Sequence, residues 1–121
     1  MTDFDLVAAS LRADASDTRS LTEALAAKLE GALPQQTRVE RRSKGFLSRT
    51  KEVRRVEVDC GDYRYVLEPG RPATRAHEVR GIVLKNESLG LDAWIDALAR
   101  DLSEMARTSE DARLALERLL V

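Results

Sequence analysis

"VRRVEVDC" at residues 53–60, "GD" at 61–62 and "YRYVLE" at 63–68 decide how this chain folds. Two alternating runs flank a Gly-X pair suited to a two-residue type II′ turn. With Gly61 and Asp62 at the tip, Cys60 faces Tyr63, Val58 faces Tyr65 and Val56 faces Leu67, all on one side. The other side then pairs Asp59 with Arg64 and Arg55 with Glu68. Opposite charges directly across a ladder each contribute a few tenths of a kcal/mol. One register therefore gives an apolar face and a charge-matched face together.

Upstream, "TRVERR" (37–42) reads as another strand, joined to the hairpin by the loop "SKGFLSRT" (43–50) with turn formers at Ser43, Gly45 and Ser48. Downstream, Pro69 and Pro72 in "PGRPAT" stop the pairing, because proline has no N–H to give a ladder. "RAHEVRGIVLKNE" (75–87) then resumes it as one further strand. Its apolar parity slips at Gly81, with Val79 and Val83 on one side and Ile82 and Leu84 on the other, which suggests a bulge or a section covered on both faces. The expectation is an antiparallel four-strand meander, with sequential strands adjacent.

The segments on either side are helical. Leu21, Ala24, Leu25, Leu29, Ala32 and Leu33 recur at three- and four-residue spacing, which places them on one helix face. Pro34 ends that helix. Ser20 and Glu23 have capping-box spacing, with Ser16 or Asp17 as caps one turn earlier. Phe4, Leu6, Val7 and Leu11 suggest a short separate helix in front, broken off at "DASD" (14–17). After the sheet, Leu91, Trp94, Ile95, Leu98, Leu102 and Met105 form a second stripe. Thr108 or Ser109 caps a last helix carrying Ala112, Ala115, Leu116, Leu119 and Leu120. The order α-β-β-β-β-α-α makes one α+β domain over residues 1–121, with helices on one face of the sheet and charges on the other.

Composition narrows the function classes. A chain of 121 residues buries a core without staples. Its single cysteine and single histidine provide neither a disulfide nor a metal cluster. The acidic start "MTDFDLV" is unlike a signal peptide, and no uncharged run exceeds seven residues. A membrane span needs about 20. A reducing, cytoplasmic setting is expected, with no cofactor.

Enzymatic equipment is sparse. His77 and Glu78 are neighbours in a strand and point to opposite faces, so they do not pair. Cys60 on the apolar face is a core thiol, raised in pKa and inert. There is no glycine-rich phosphate loop and no nucleophile elbow. A non-enzymatic protein is expected.

Charge is the feature left over. The net charge of −1 divides into −3 for residues 1–37, +6 for 38–55, −1 for 56–90 and −3 for 91–121. Arg38, Arg41, Arg42, Lys44, Arg49, Lys51, Arg54 and Arg55 surround one loop against only Glu40 and Glu52, and Phe46 and Leu47 stand at the loop's tip. A solvated edge hairpin accounts for the charges. The apolar tip suits a partner instead. The candidate contact residues are Arg41, Arg42, Lys44, Phe46, Leu47, Arg49, Arg54 and Arg55. A protein partner comes first. Nucleic acid, with arginines on phosphates and the tip as a wedge, is the alternative, and an anionic membrane surface is a third. The stripe at 91, 95, 98, 102 and 105 has heptad spacing and admits a homodimer.

"RRSKGFLSRTKEVRRVEVDCGDYRYVLE" and "RGIVLKNESLGLDAWIDALARDLSEMARTSEDARLALERLL" together resemble a family of small uncharacterised actinobacterial proteins. That resemblance implies no activity, cofactor or site residue. In topology alone, helices beside an antiparallel meander are similar to dimeric nucleoid-associated proteins of the YbaB type, with no shared motif to carry their binding onto a residue here. The function expected is a protein-interaction or adaptor module that uses the basic hairpin.

Overall fold

A computed structural model describes residues 18–43 and 51–110, together with 113, 114 and 117. The order of elements is α1 (Thr18–Ala32), β1 (Thr37–Ser43), β2 (Lys51–Cys60), β3 (Tyr63–Leu67), β4 (Ala73–Val79), β5 (Ile82–Leu89) and α2 (Leu91–Ala106). The five strands lie in sequence order in one antiparallel sheet. The β2–β3 hairpin has the register its sequence dictates, with Cys60 opposite Tyr63, Val58 opposite Tyr65 and Val56 opposite Leu67. Gly61 sits at φ 63°, and Asp62 is outside the positive-φ region. That combination is what a type II′ turn requires. Arg64 bonds Asp59 at 3.2 Å and Arg55 meets Glu68 at 3.4 Å, so the charge-matched face is present as well.

The four-strand expectation is corrected to five. Residues 75–87 do not run straight through Gly81 but turn back at Arg80 and Gly81, which stand at φ 52° and φ 79°. Two successive positive φ values match a type I′ turn, whose twist suits a hairpin. An Arg-Gly pair is a weak signal for it, since arginine gains nothing from the left-handed region. The parity slip has its cause beside the turn. A bulge lies between His77 and Glu78 on β4 and leaves Leu84 as the extra residue on β5. Arg80→Asn relieves the backbone at that position, and we expect a gain of about 0.5 kcal/mol, read as a higher urea midpoint at unchanged slope.

A second bulge solves a problem of spacing in β2. Val53 and Val56 are three residues apart, and strict alternation cannot bury both. The pairing shifts between Glu40 and Arg41 so that Arg41 faces Val53 and Arg54 is the extra residue. Val53, Val56, Val58 and Cys60 then all turn to the helices and are buried. Glu23 of α1 accepts a hydrogen bond from the Val53 N–H at 2.8 Å, tying the helix to the strand at this irregular point. The capping-box reading of Ser20 and Glu23 is accordingly replaced. The helix already includes Thr18, and the Glu23 carboxylate serves β2.

The core lies between the sheet and two helices. Leu21, Leu25, Ala26, Leu29 and Leu33 come from the α1 segment and Trp94, Ile95, Leu98, Ala99 and Leu102 from α2. Ile95, Leu98 and Leu102 of the heptad stripe are fully buried within the chain's own core, whereas Leu91 and Met105 are only partly buried. Trp94 donates its Nε1–H to the Thr74 carbonyl at 2.9 Å and meets Tyr65 edge-on, with ring centroids 5.9 Å apart. Tyr65 donates its hydroxyl to the Asp101 carboxylate. Burial, reinforced by this bond to Asp101, holds the Tyr65 hydroxyl well above the ordinary phenol pKa. Burial likewise pushes the Cys60 thiol up, with Asp101 and Asp59 adding to it, so the thiol is protonated and a poor nucleophile.

After α2, the Arg113 N–H donates to the Ser109 carbonyl at 3.1 Å, the first turn of the expected last helix. Its apolar residues Ala112, Ala115, Leu116, Leu119 and Leu120 lie outside the described residues, as do the short helix around Phe4, Leu6, Val7 and Leu11 and the Ser16 and Asp17 caps.

A candidate anion-binding cleft

In an antiparallel meander, the end of β1, the start of β2, the end of β3 and the start of β4 all meet at one end of the sheet. Strand pairing alone therefore brings Arg42, Arg54 and the Pro69–Arg71 turn together. The start of α1 adds Arg19. These side chains line a cleft of about 380 Å³ with Glu52, Val53, Glu68 and Pro69. Arg54 is there because it is the extra residue of the β2 bulge, and bulges re-aim the side chain they carry.

The charges of the cleft are layered. The side chains of Glu52 and Glu68 are only 13% and 25% exposed, whereas those of Arg19, Arg42 and Arg71 are 64%, 64% and 77% exposed. Glu52 holds Arg42 at 3.2 Å and Arg19 at 3.6 Å, and Glu68 holds Arg71 at 3.4 Å. The carboxylates thus sit low and the guanidiniums reach past them. Arg54 is exposed and has no acidic partner among the described residues. Four guanidiniums stand against two carboxylates among the lining residues, which leaves two positive charges. Each guanidinium carries five N–H donors in a planar fork, and one carboxylate contact uses at most two. The remaining donors suit carboxylate or phosphate oxygens. Among the described residues the lining includes no histidine, cysteine or hydroxyl side chain, and its spare guanidinium donors suit an anion.

The contact residues expected from sequence are divided by the fold. Arg42 and Arg54 enter the cleft. Arg41 does not. It turns to α1 and holds Glu30 through both terminal nitrogens, at 2.9 and 3.0 Å. Arg55 is committed to Glu57 at 2.6 Å and Glu68 at 3.4 Å, and Arg38 to Glu57 at 3.5 Å. Lys44, Phe46, Leu47 and Arg49 lie outside the described residues. The excess of charge in 38–55 is therefore offset in space by Glu30, Glu57 and Glu68, none of which belongs to that window. Arg19 and Arg71 were not singled out from sequence. For Arg71 a signal existed, since a turn after β3 must return to the β1–β2 end.

The Arg41–Glu30 pair also has a pH signature. The hydrogen bond from Arg41 lowers the Glu30 carboxyl pKa. A carboxyl depressed on folding contributes stability above its unfolded pKa and loses that contribution as pH falls through the folded value. Both side chains are largely exposed, so Arg41→Gln is expected to cost only a few tenths of a kcal/mol at neutral pH. That difference between wild type and variant should disappear below the ordinary glutamate range near pH 4.3, as followed by urea melts at several pH values.

The aromatic end of the sheet is separate. Tyr63 stacks on His77 with centroids 4.8 Å apart, and the Arg75 guanidinium lies 3.7 Å from the Tyr63 ring centre. Arg75 also meets Asp101 at 3.4 Å and Glu87 at 3.6 Å. His77 is thus a stacked sheet-face residue. Among the described residues, no three His, Cys, Asp or Glu side chains are grouped so as to hold a metal ion, and no helix is long and apolar enough to cross a membrane.

In comparison with known proteins, no family model, no curated protein and no solved structure matches the chain.

Proposed function

We propose that this protein is a non-enzymatic interaction module, working in a reducing, cytoplasmic setting, whose arginine-lined cleft takes an acidic segment of a partner protein. The observation that carries this reading is Arg54 standing without an acidic partner among the described residues, beside Arg19, Arg42 and Arg71 over two recessed carboxylates. Such a ring has donors to spare for the oxygens of an acidic segment. Nucleic acid is less well supported, because it needs a track of uncompensated cations along successive phosphates. Arg38, Arg41 and Arg55 would extend that track, and each is already held by a glutamate.

The test is fluorescence anisotropy with a labelled oligoglutamate peptide, a neutral peptide of equal length and a DNA duplex. The acidic peptide should bind with an affinity that falls as salt rises. Arg54→Ala combined with Arg71→Ala should weaken it roughly a hundredfold, since each lost charge-assisted hydrogen bond costs about 1.5 kcal/mol and about 1.4 kcal/mol is tenfold. Tighter binding to DNA than to the peptide, or no effect of the double variant, overturns the proposal.

A further inference from the structure

β5 is an outer strand of the sheet, and of the two edges it is the one that exposes large apolar side chains. Ile82, Val83 and Leu84 are 63%, 53% and 61% exposed, three consecutive large apolar residues on a strand with no neighbour on its outer side among the described residues. The other edge, β1, carries Arg38, Glu40, Arg41 and Arg42, and its arginines are tied to carboxylates of α1 and β2. An exposed apolar edge strand is a template for pairing with another strand. Which strand it accepts depends on the charges it presents.

Lys85 and Glu87 of β5 lie opposite His77 and Arg75 of β4. They are two residues apart on the same face, with Asn86 between them. We propose that two copies of this chain pair edge to edge through β5, antiparallel, about a two-fold axis at Asn86. In that register Lys85 of each copy stands opposite Glu87 of the other, so the dimer gains the same ion pair twice, and Leu84 lies opposite Ser88. Moving the axis to Lys85 or to Glu87 sets like charges against each other, which is destabilising. Lysine on an edge commonly keeps other strands away. Within its own strand Lys85 lies 3.4 Å from Glu87, and in this register it also faces Glu87 of a second copy, so the charges that repel strangers accept self. The two-fold contact also closes on itself, as a stable dimer requires. This surface is at the opposite edge of the sheet from β1, uses none of the cleft arginines, and stands or falls independently of the proposed function.

The experiment is sedimentation equilibrium of the full chain over a range of concentrations, with thermal melts to verify folding of each variant. Wild type should be a dimer that dissociates on dilution. Lys85→Glu alone and Glu87→Lys alone should each raise the dissociation constant roughly tenfold or more, because both symmetry-related pairs turn from attraction to repulsion. Mixing those two variants should restore association, since every glutamate then faces a lysine in the mixed dimer. Leu84→Ser, at an exposed position, should weaken the dimer without changing the melt. Wild type that stays monomeric at all concentrations, a dimer indifferent to Lys85→Glu and to Leu84→Ser, or a mixture that associates no better than its components overturns the proposal.

Discussion

Trp94→Ala is expected to lower stability by about 3–5 kcal/mol, the range for removing a buried aromatic side chain, and to leave the chain largely unfolded under conditions where the wild type is folded. Trp94 is 1% exposed, is the largest of the fully buried side chains, and stands where α2 meets the sheet. Its removal opens a cavity between Tyr65 on β3 and the backbone of β4, which it touches through the indole N–H. Trp94→Phe keeps much of the ring volume and loses that N–H. It leaves the Thr74 carbonyl without its donor and should cost about 1–3 kcal/mol. Urea denaturation followed by far-ultraviolet circular dichroism checks both values. An effect of Trp94→Ala below that of Trp94→Phe would contradict the packing described for α2.

The second large effect concerns Asp101. Its carboxylate accepts from the Tyr65 hydroxyl and faces Arg75 at 3.4 Å. Asp101→Ala leaves a buried phenol and a half-buried guanidinium without their shared acceptor, at an expected cost of about 2–3 kcal/mol. Tyr65→Phe removes the donor instead. It should cost less, because Asp101 keeps Arg75. The two variants also differ with pH. Burial and the bond to Asp101 raise the Tyr65 pKa above its unfolded value. A group raised on folding contributes stability that is complete below its unfolded pKa, near 10 for tyrosine, and is lost as pH rises toward the folded value. Wild type should therefore lose stability above about pH 10, and Tyr65→Phe should lose less over the same interval. Urea midpoints measured from pH 8 upward decide this.

Both predictions depend on contacts between α2 and strands far away in sequence. The stripe of Trp94, Ile95, Leu98 and Leu102 announces that α2 must bury one face, because apolar residues at helical spacing have no other way to leave water. It does not say that Tyr65 and Asp101 will meet, since two polar groups 36 positions apart share no periodicity. Bulges are similarly hidden. Val53 and Val56 have the wrong spacing for one strand face, and only the pairing of β1 with β2 resolves it by expelling Arg54. That local irregularity puts into the cleft a guanidinium with no acidic partner among the described residues.

Charge was the quantity that linear reading weighed least well. Residues 38–55 are strongly basic as a segment, but electrostatic neighbours are set by distance and not by sequence separation. Glu30 comes from a helix, and Glu57 and Glu68 come from one side of the sheet, to hold Arg41, Arg55 and Arg38. The linear reading looks to the β1–β2 end of the sheet, where the candidate cleft lies. The residues that form the cleft there differ by the loss of Arg41 and Arg55 and the gain of Arg19 and Arg71.

The amino-acid sequence by itself determined the helix faces, the β2–β3 register and the antiparallel order, because all three follow from short-range periodicity and turn geometry that act within a few residues. Tertiary structure alone decided the fifth strand, the two bulges, the partners of Arg38, Arg41 and Arg55, and the place of β5 at the edge of the sheet. Those depend on which distant groups arrive at the same place, and burial and Coulomb energy are functions of position in space, which a one-dimensional pattern does not contain.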